Sequence, residues 1–418
     1  MSTAPALTTI DSAQLQVLEN VVPGPSENVA LADSLGRVLS TPVICDLDYP
    51  PFDKAMMDGY AVRSADLSAA GSGDRSLRVA GQIAAGTEAR HVLGAGQATQ
   101  INTGAPVPDG ADAVVRVEDT ELSGDGSTVT VKTAVSPQQH IDPRARYVSA
   151  GTEVLEAGTR MGPAQITAAA AAGADTVAVY AKPRVAILAT GDELVPFTQR
   201  PTGARIRNSN GIMLQSLVSE CGAEPIDLGM AGDDKDLLTE RIRQTHGFES
   251  VGFADVLCIT GGISVGAFDY VPEVLESCGV RIVFRKVAIK PGKPALFGIG
   301  PSGTLVFGLP GNPVSGYVVF RLLVGPALEA RQGRAGRLPT AISARLMGHC
   351  KATTDRQSYW PVRVHSDSEG TLRAERLAWA GSGDPFGFCR ANALMVRQPH
   401  SPAAEPGDVV GVIPLELL

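Results

Sequence analysis

Between Lys182 and Leu328 short, wholly apolar runs alternate with stretches of helical periodicity, and few architectures satisfy that alternation. Val185 to Leu188, Pro225 to Leu228, Val256 to Ile259, Ile282 to Phe284 and Leu305 to Phe307 read as strands. Ile212 to Val218, Lys235 to Arg243, Val271 to Leu275 and Val314 to Leu328 read as helices. A strand apolar along its whole length must be covered on both faces, so the pattern predicts a doubly wound parallel α/β sheet with helices on each side.

The flanks have a different texture. Asp11 and Ser12 are good cap residues ahead of Leu15, Val17 and Leu18, which predicts an N-terminal helix. From Pro42 to Gln139 short β-rich runs such as Ala113 to Val117 and Ser127 to Thr133 lie between glycine-rich turns. Helical character returns between Tyr147 and Ala181, where Pro163 suits the first turn of a helix through Ala172. If that helix pairs with the N-terminal one, the β-rich module is an insertion. Gln332 to Pro339 is a basic, glycine-containing linker, and Ala341 to Leu418 alternates apolar and polar residues around turns, as a small β domain does. The expected segments are 1–44 with 140–180, then 45–139, 181–330 and 331–418.

At 418 residues and 44% hydrophobic content, the chain is long and apolar enough for several packed cores. Lys+Arg 36 against Asp+Glu 44 gives a formal charge of −8, and no basic run carries interleaved aromatics, so nucleic acid is not an expected partner. No basic residue precedes an apolar stretch at the N-terminus, and the Ala-rich segment Ile166 to Ala181 is short and broken by Asp175, so neither a leader nor a membrane span is expected and the location is cytoplasmic. The 6 cysteines form no CxxC pair, which points away from disulfides and zinc.

Chemistry collects where the predicted strands end. Thr190-Gly191-Asp192-Glu193 follows the first, Thr260-Gly261-Gly262-Ile263-Ser264-Val265-Gly266 with Asp269 follows another, and Leu309-Pro310-Gly311-Asn312-Pro313 a third. In doubly wound sheets ligands sit beyond these carboxyl ends. Glycine loops ahead of helices can cradle an anion, although the same glycines serve tight turns. Lys286, Lys290 and Lys293, stiffened by Pro291 and Pro294, concentrate positive charge that an anion would neutralise, or they form a solvated edge. Asp192, Glu193, Asp233, Asp234 and Asp269 are hard oxygen donors that suit Mg2+ beside a phosphate, while Asp233 and Asp234 also suit the cap of the Lys235 to Arg243 helix.

PPFDKAMMDGYAVR, INTGAPVPDGADAVV, ATGDEL, TGGISVGAFDY, VAIKPGKP and FGLPGNPVS occur in that order, and with them the chain resembles the molybdopterin molybdenumtransferases, the family that includes the E domain of gephyrin. The resemblance implies an elongated four-segment subunit: segment I from both flanks of an inserted β-rich segment II, a molybdopterin-binding-like α/β segment III, and a C-terminal β segment IV. It implies a homodimer in which segment II of one subunit faces segment III of the other. The implied activity is Mg2+-dependent insertion of molybdate into adenylylated molybdopterin with release of AMP. Matching positions place molybdate at Ser264, Lys290, Lys293 and Pro294, completed by Arg356 and Ser382, with Lys286, Pro310 and Pro313 also on the substrate site. Asp269 would be the carboxylate acting on the metal or attacking group, with Glu193 catalytic beside it, Asp233 and Asp234 as further metal ligands, and Asp58 and Thr103 reaching in from the partner.

The sequence also departs from the family. An arginine-rich stretch usually ends in Gly-Glu-Asp, where this chain has Ala145-Arg146-Tyr147; an expected acidic residue is Ala267 and an expected arginine is Pro361. Two positive or neutral side chains in place of two carboxylates would reverse the local field and remove a metal ligand. The alternative function is therefore a gephyrin-like dimeric scaffold with reduced catalysis, binding a short peptide of a cytoskeletal or membrane-receptor partner at the segment III/IV groove. Tyr359, Trp360, Phe386 and Phe388 are its candidate aromatic anchors, with core packing as their other use.

Overall fold

The computed structural model describes residues 7–68, 74–244, 254–263, 270–334 and 338–415. The chain divides into two compact units, Met1–Glu27 with Val179–Leu418, and Asn28–Ala178.

The first unit is built on a six-stranded sheet with strands in the order Glu224–Ala231, Arg184–Thr190, Val256–Thr260, Leu305–Leu309, Pro294–Ile299, Arg281–Lys286. The first four are mutually parallel, as their apolar character predicted. The sheet is nevertheless mixed, because Pro294–Ile299 runs antiparallel to Leu305–Leu309 and Arg281–Lys286 antiparallel to it in turn. Ile282 to Phe284 was legible as a strand, whereas its neighbour Pro294–Ile299 was hidden by the lysines and prolines that lead into it. Alternation along each strand feeds two cores. Val185, Ile187 and Cys258 join Leu214, Leu217 and Val318 on one face, while Ala186, Leu188 and Ile259 join Leu238, Ile242 and Leu275 on the other.

Helix Ile10–Leu18 adds to the first of these faces through Ile10, Ala13 and Val17, spaced on one helical stripe, and buried Gln14 donates from Nε2 to the Leu322 carbonyl at 3.0 Å. The apolar stripe of this helix packs into the core shared with the helices of the α/β unit. The expected helix Val314 to Leu328 extends over Pro313–Val319 and Gly325–Arg331 with a π-helical turn at Phe320–Val324 between them. Pro326 lacks an N–H and its ring crowds the carbonyl four residues earlier, and the wider turn absorbs that conflict.

The same unit ends in a β domain. Strands Gln357–Ser366, Leu372–Arg376, Ile342–Leu346, Val409–Pro414 and Ala393–Arg397 follow one another, and the last pairs back onto the first to close a barrel around Val362, Val364, Leu346, Met395 and Val412. Ile289–Lys290 adds to its edge in parallel with Gln357 and Ser358.

The second unit carries its own six-stranded sheet, in the order Ala113–Arg116, Gly59–Val62, Gln97–Ile101, Arg75–Ile83, Thr128–Val131, Thr120–Leu122. Both β runs read from the sequence here are strands. Tyr60 and Val62 face one core and Ala61 and Val114 another, as a period of two requires.

Candidate functional site

The carboxyl ends of three parallel strands open onto one cleft of about 1140 Å³ in the first unit. Thr190 and Gly191 leave the first strand, Thr260 to Ile263 the second, and Pro310 to Pro313 the third, and all line the cleft. A buried polar network fixes these loops to one another. Asn210, on the first turn of helix Ser209–Glu220, donates from Nδ2 to Thr260 Oγ1 at 3.0 Å and to the Gly311 carbonyl at 2.8 Å. Thr260 Oγ1 donates to the Pro310 carbonyl at 3.3 Å, and Thr190 Oγ1 donates to the Thr260 carbonyl at 3.5 Å. Gly261 sits at φ +95° with its N–H on the Leu309 carbonyl at 3.1 Å; a Cβ there would lie 2.3 Å from the Thr190 carbonyl oxygen, so only glycine fits.

Two helices start at the cleft. Asn208 caps Ser209–Glu220 by accepting the Gly211 N–H at 2.9 Å, and Pro313 opens the helix after the Pro310-Gly311-Asn312 loop. The dipoles of these helix N-termini favour an anion. The exposed guanidinium groups of Arg205 and Arg207 stand on the same wall.

Of the side chains expected from sequence, Glu193, Asp233, Pro294, Pro310 and Pro313 line this cleft. Ser382 adjoins it: its Oγ accepts from Asn312 Nδ2 at 3.1 Å and its carbonyl accepts the Val314 N–H at 3.1 Å. Lys286 is in register with Pro294, and exposed Lys293 is the residue before it. Lys290 pairs with Ser358 while Arg356 Nη1 donates to the neighbouring Ile289 carbonyl at 3.3 Å, so the lysine and arginine share one strand junction. Asp234 is occupied as a helix cap, its Oδ1 accepting the Leu237 N–H at 2.9 Å, and Asp192 Oδ1 accepts the Asp233 N–H at 3.0 Å. Ser264, Ala267 and Asp269 lie outside the described residues. Among the described residues no three His, Cys, Asp or Glu side chains converge as a metal-binding group. Glu193 and Asp233 both line the wall, and one or two carboxylates suit Mg2+ when phosphate oxygens and water fill its other positions.

Asp58 and Thr103 come together in the second unit. The Thr103 N–H donates to Asp58 Oδ1 at 2.8 Å and Asn102 Nδ2 donates at 3.3 Å, and the two bonds in that order hold the Asp58 carboxyl below the usual carboxylate range.

Arg146 and Tyr147, expected to reverse the local field, stand beside a carboxylate of their own unit. Both turn onto Asp142, itself only 2% exposed: Arg146 Nη1 reaches Oδ1 at 2.9 Å, Tyr147 Oη donates to Oδ2 at 2.9 Å, and Lys54 Nζ lies 3.4 Å from Oδ2. Burial pushes the Asp142 carboxyl up, but hydrogen bonds from Tyr147, Lys54 and Arg146 bring it net below its ordinary value. Arg146 therefore shares the Asp142 carboxylate with Lys54.

Sequence reasoning missed Arg205, Arg207, Asn208, Ser209 and Asn210. The signal was the run Arg205-Ile-Arg-Asn-Ser-Asn210-Gly, basic residues ahead of an Asn-Ser cap. Of the proposed peptide anchors, Tyr359 is 2% exposed, Phe388 packs edge-on against Tyr317 with ring centroids 4.8 Å apart, and Arg376 covers the Trp360 ring at 5.2 Å. Only Phe386 is free of the core, and it lines the cleft.

Comparison with known proteins agrees along the whole chain. Residues 8–173 match the MoeA N-terminal region (domain I and II), 186–330 the probable molybdopterin binding domain, and 343–415 the MoeA C-terminal region (domain IV). The molybdopterin molybdenumtransferase of Nostoc sp. is 37% identical over 89% of this chain and 84% of its own. The chain belongs to the molybdopterin molybdenumtransferase family of enzymes. The Haemophilus influenzae molybdopterin molybdenumtransferase is 31% identical over 98% of this chain and 99% of its own length. The solved molybdopterin biosynthesis moeA protein from Pyrococcus horikosii superposes with a TM-score of 0.86 at 30% identity, covering 99% of this chain and 100% of that one. The family fold, with its α/β domain and barrel-like C-terminal domain, is the one described above. No helix among the described residues is long and apolar enough to cross a membrane.

Proposed function

We propose that this chain acts in molybdenum cofactor biosynthesis by inserting molybdate into adenylylated molybdopterin, with cleavage of the phosphoanhydride and release of AMP. The observation that carries the reading is the convergence of three strand-end loops and two helix N-termini on one cleft whose wall also bears Glu193 and Asp233. Phosphate oxygens lie at the N-terminal ends of the helices that open at the cleft, where helix dipoles favour negative charge. Lys290, Lys293, Arg356 and Ser382 hold the molybdate oxyanion by charge-assisted hydrogen bonds, with Ser264, Pro294 and Lys286 beside them. Bound through Glu193 and Asp233, with Asp269, Mg2+ would neutralise the phosphoanhydride oxygens. Asp269 acts on the metal or the attacking group, and Asp58 with Thr103 completes the site from the second subunit of a cytoplasmic homodimer.

The hydrogen bonds of Arg146 and Tyr147 to Asp142 place both side chains on a carboxylate of their own unit, which is compatible with retained catalysis. The scaffold reading gains nothing comparable: its aromatic anchors are committed to packing except Phe386, which belongs to the cleft. AMP release from adenylylated molybdopterin, assayed with and without molybdate and Mg2+, tests the proposal. Turnover that requires both supports it, and no AMP release from the natural chain refutes it.

A further inference from the structure

Phe386 is 83% exposed, more than any other large apolar side chain among the described residues. It is not on a loose loop. Asp384 Oδ1 accepts the N–H groups of Phe386 at 3.1 Å and Gly387 at 2.9 Å, and its Oδ2 accepts the Ala380 N–H at 2.8 Å. At Gly387 a Cβ would lie 2.5 Å from Asp384 Oδ2 and 2.8 Å from Trp379 Cβ, so the turn closes only around glycine. Phe388, two residues on, is anchored against the Tyr317 ring. One aromatic therefore fixes the turn from inside while the other is presented on the wall of the cleft, beside Pro385 and Gly383.

Leaving a phenylalanine in water forgoes the stabilisation its burial would give. A rigidly held exposed ring in a ligand cleft offers a π face to a flat partner, and aromatic stacking tolerates any heteroaromatic ring because each has such a face. Leu194, Ile206, Ile263 and several prolines also line the cleft, but among the described lining residues Phe386 is the one aromatic side chain. We propose that Phe386 is a stacking platform for a planar heteroaromatic ring of the substrate. The proposal rests on the function above, since adenylylated molybdopterin carries two such rings, the pterin and the adenine.

Equilibrium titration with adenylylated molybdopterin, and in parallel with AMP, of the natural chain, Phe386→Ala and Phe386→Trp decides it. Removing a stacked aromatic weakens Kd for adenylylated molybdopterin about tenfold in Phe386→Ala, and Phe386→Trp restores it. An equal loss for AMP assigns the platform to the adenine, and an unchanged AMP affinity assigns it to the pterin. Affinity in Phe386→Ala within about twofold of the natural chain overturns the proposal, because stacking is worth more than that. So does a loss that tryptophan fails to repair. A natural chain that binds the substrate with this Phe386 dependence but releases no AMP would refute the reaction while leaving the platform; one that binds neither ligand would refute both.

Discussion

Asn210 shows what one side chain does at this site. Its amide donates to Thr260 Oγ1 and to the Gly311 carbonyl, tying the start of a helix to the ends of two strands. Asn210→Ala strips those buried acceptors of their donor, at a cost of about 1–3 kcal/mol to the α/β unit, read as a lower urea midpoint. Asn210→Asp does not recover it, because a carboxylate has no donor to give. The run from Arg205 to Gly211 signals a basic stretch and a helix start without singling out the buried asparagine, whereas Thr190, Gly261 and Pro310 stood at the ends of apolar runs. Asp142 makes a second prediction. Its folded-state pKa lies below its unfolded one, so its contribution to stability is present above the ordinary aspartate value of 3.8 and is lost as pH falls through the depressed value. Asp142→Asn should flatten the acid limb of a stability-against-pH curve, and an unchanged limb would deny the cluster that role.

At the scale of elements, the order of strands and helices in the α/β domain was legible because fully buried strands leave uninterrupted apolar runs. Two features were not. The antiparallel strand Pro294–Ile299 follows a lysine and proline stretch whose charge dominates any pattern reading, and the π turn at Phe320–Val324 arises from a conflict at Pro326 that binary patterning does not register. The strand-to-helix turn at Gly261 has no slack, with φ +95° and the Thr190 carbonyl in the place of a side chain. Gly261→Ala must therefore move backbone rather than a flexible side-chain tip. It should destabilise the α/β unit by more than about 1 kcal/mol and reduce turnover together with it, measured by denaturation and AMP release on the same preparation.

For the whole molecule, the ordered motifs across nearly the full chain revealed the family, and the paired carbonyls and amides of the cleft then supplied the detail that motifs lack. The division into two units leaves Asp58 and Thr103 on one and the lysine and carboxylate groups on the other. If two subunits share each site, Lys290→Ala and Asp58→Asn chains, each inactive alone, complement one another when exchanged. Half of the dimers are then mixed and one site in each is intact, giving about a quarter of the natural activity. Activity that stays at zero in the exchanged mixture contradicts a shared site.

The most direct test of the central claim is molybdate-dependent AMP release from adenylylated molybdopterin by the natural chain and by Lys290→Ala. The account predicts turnover by the natural chain that falls at least about a hundredfold in the variant, the loss expected when a charged contact to the reacting oxyanion is removed. No turnover by the natural chain, or equal turnover by both, would contradict it.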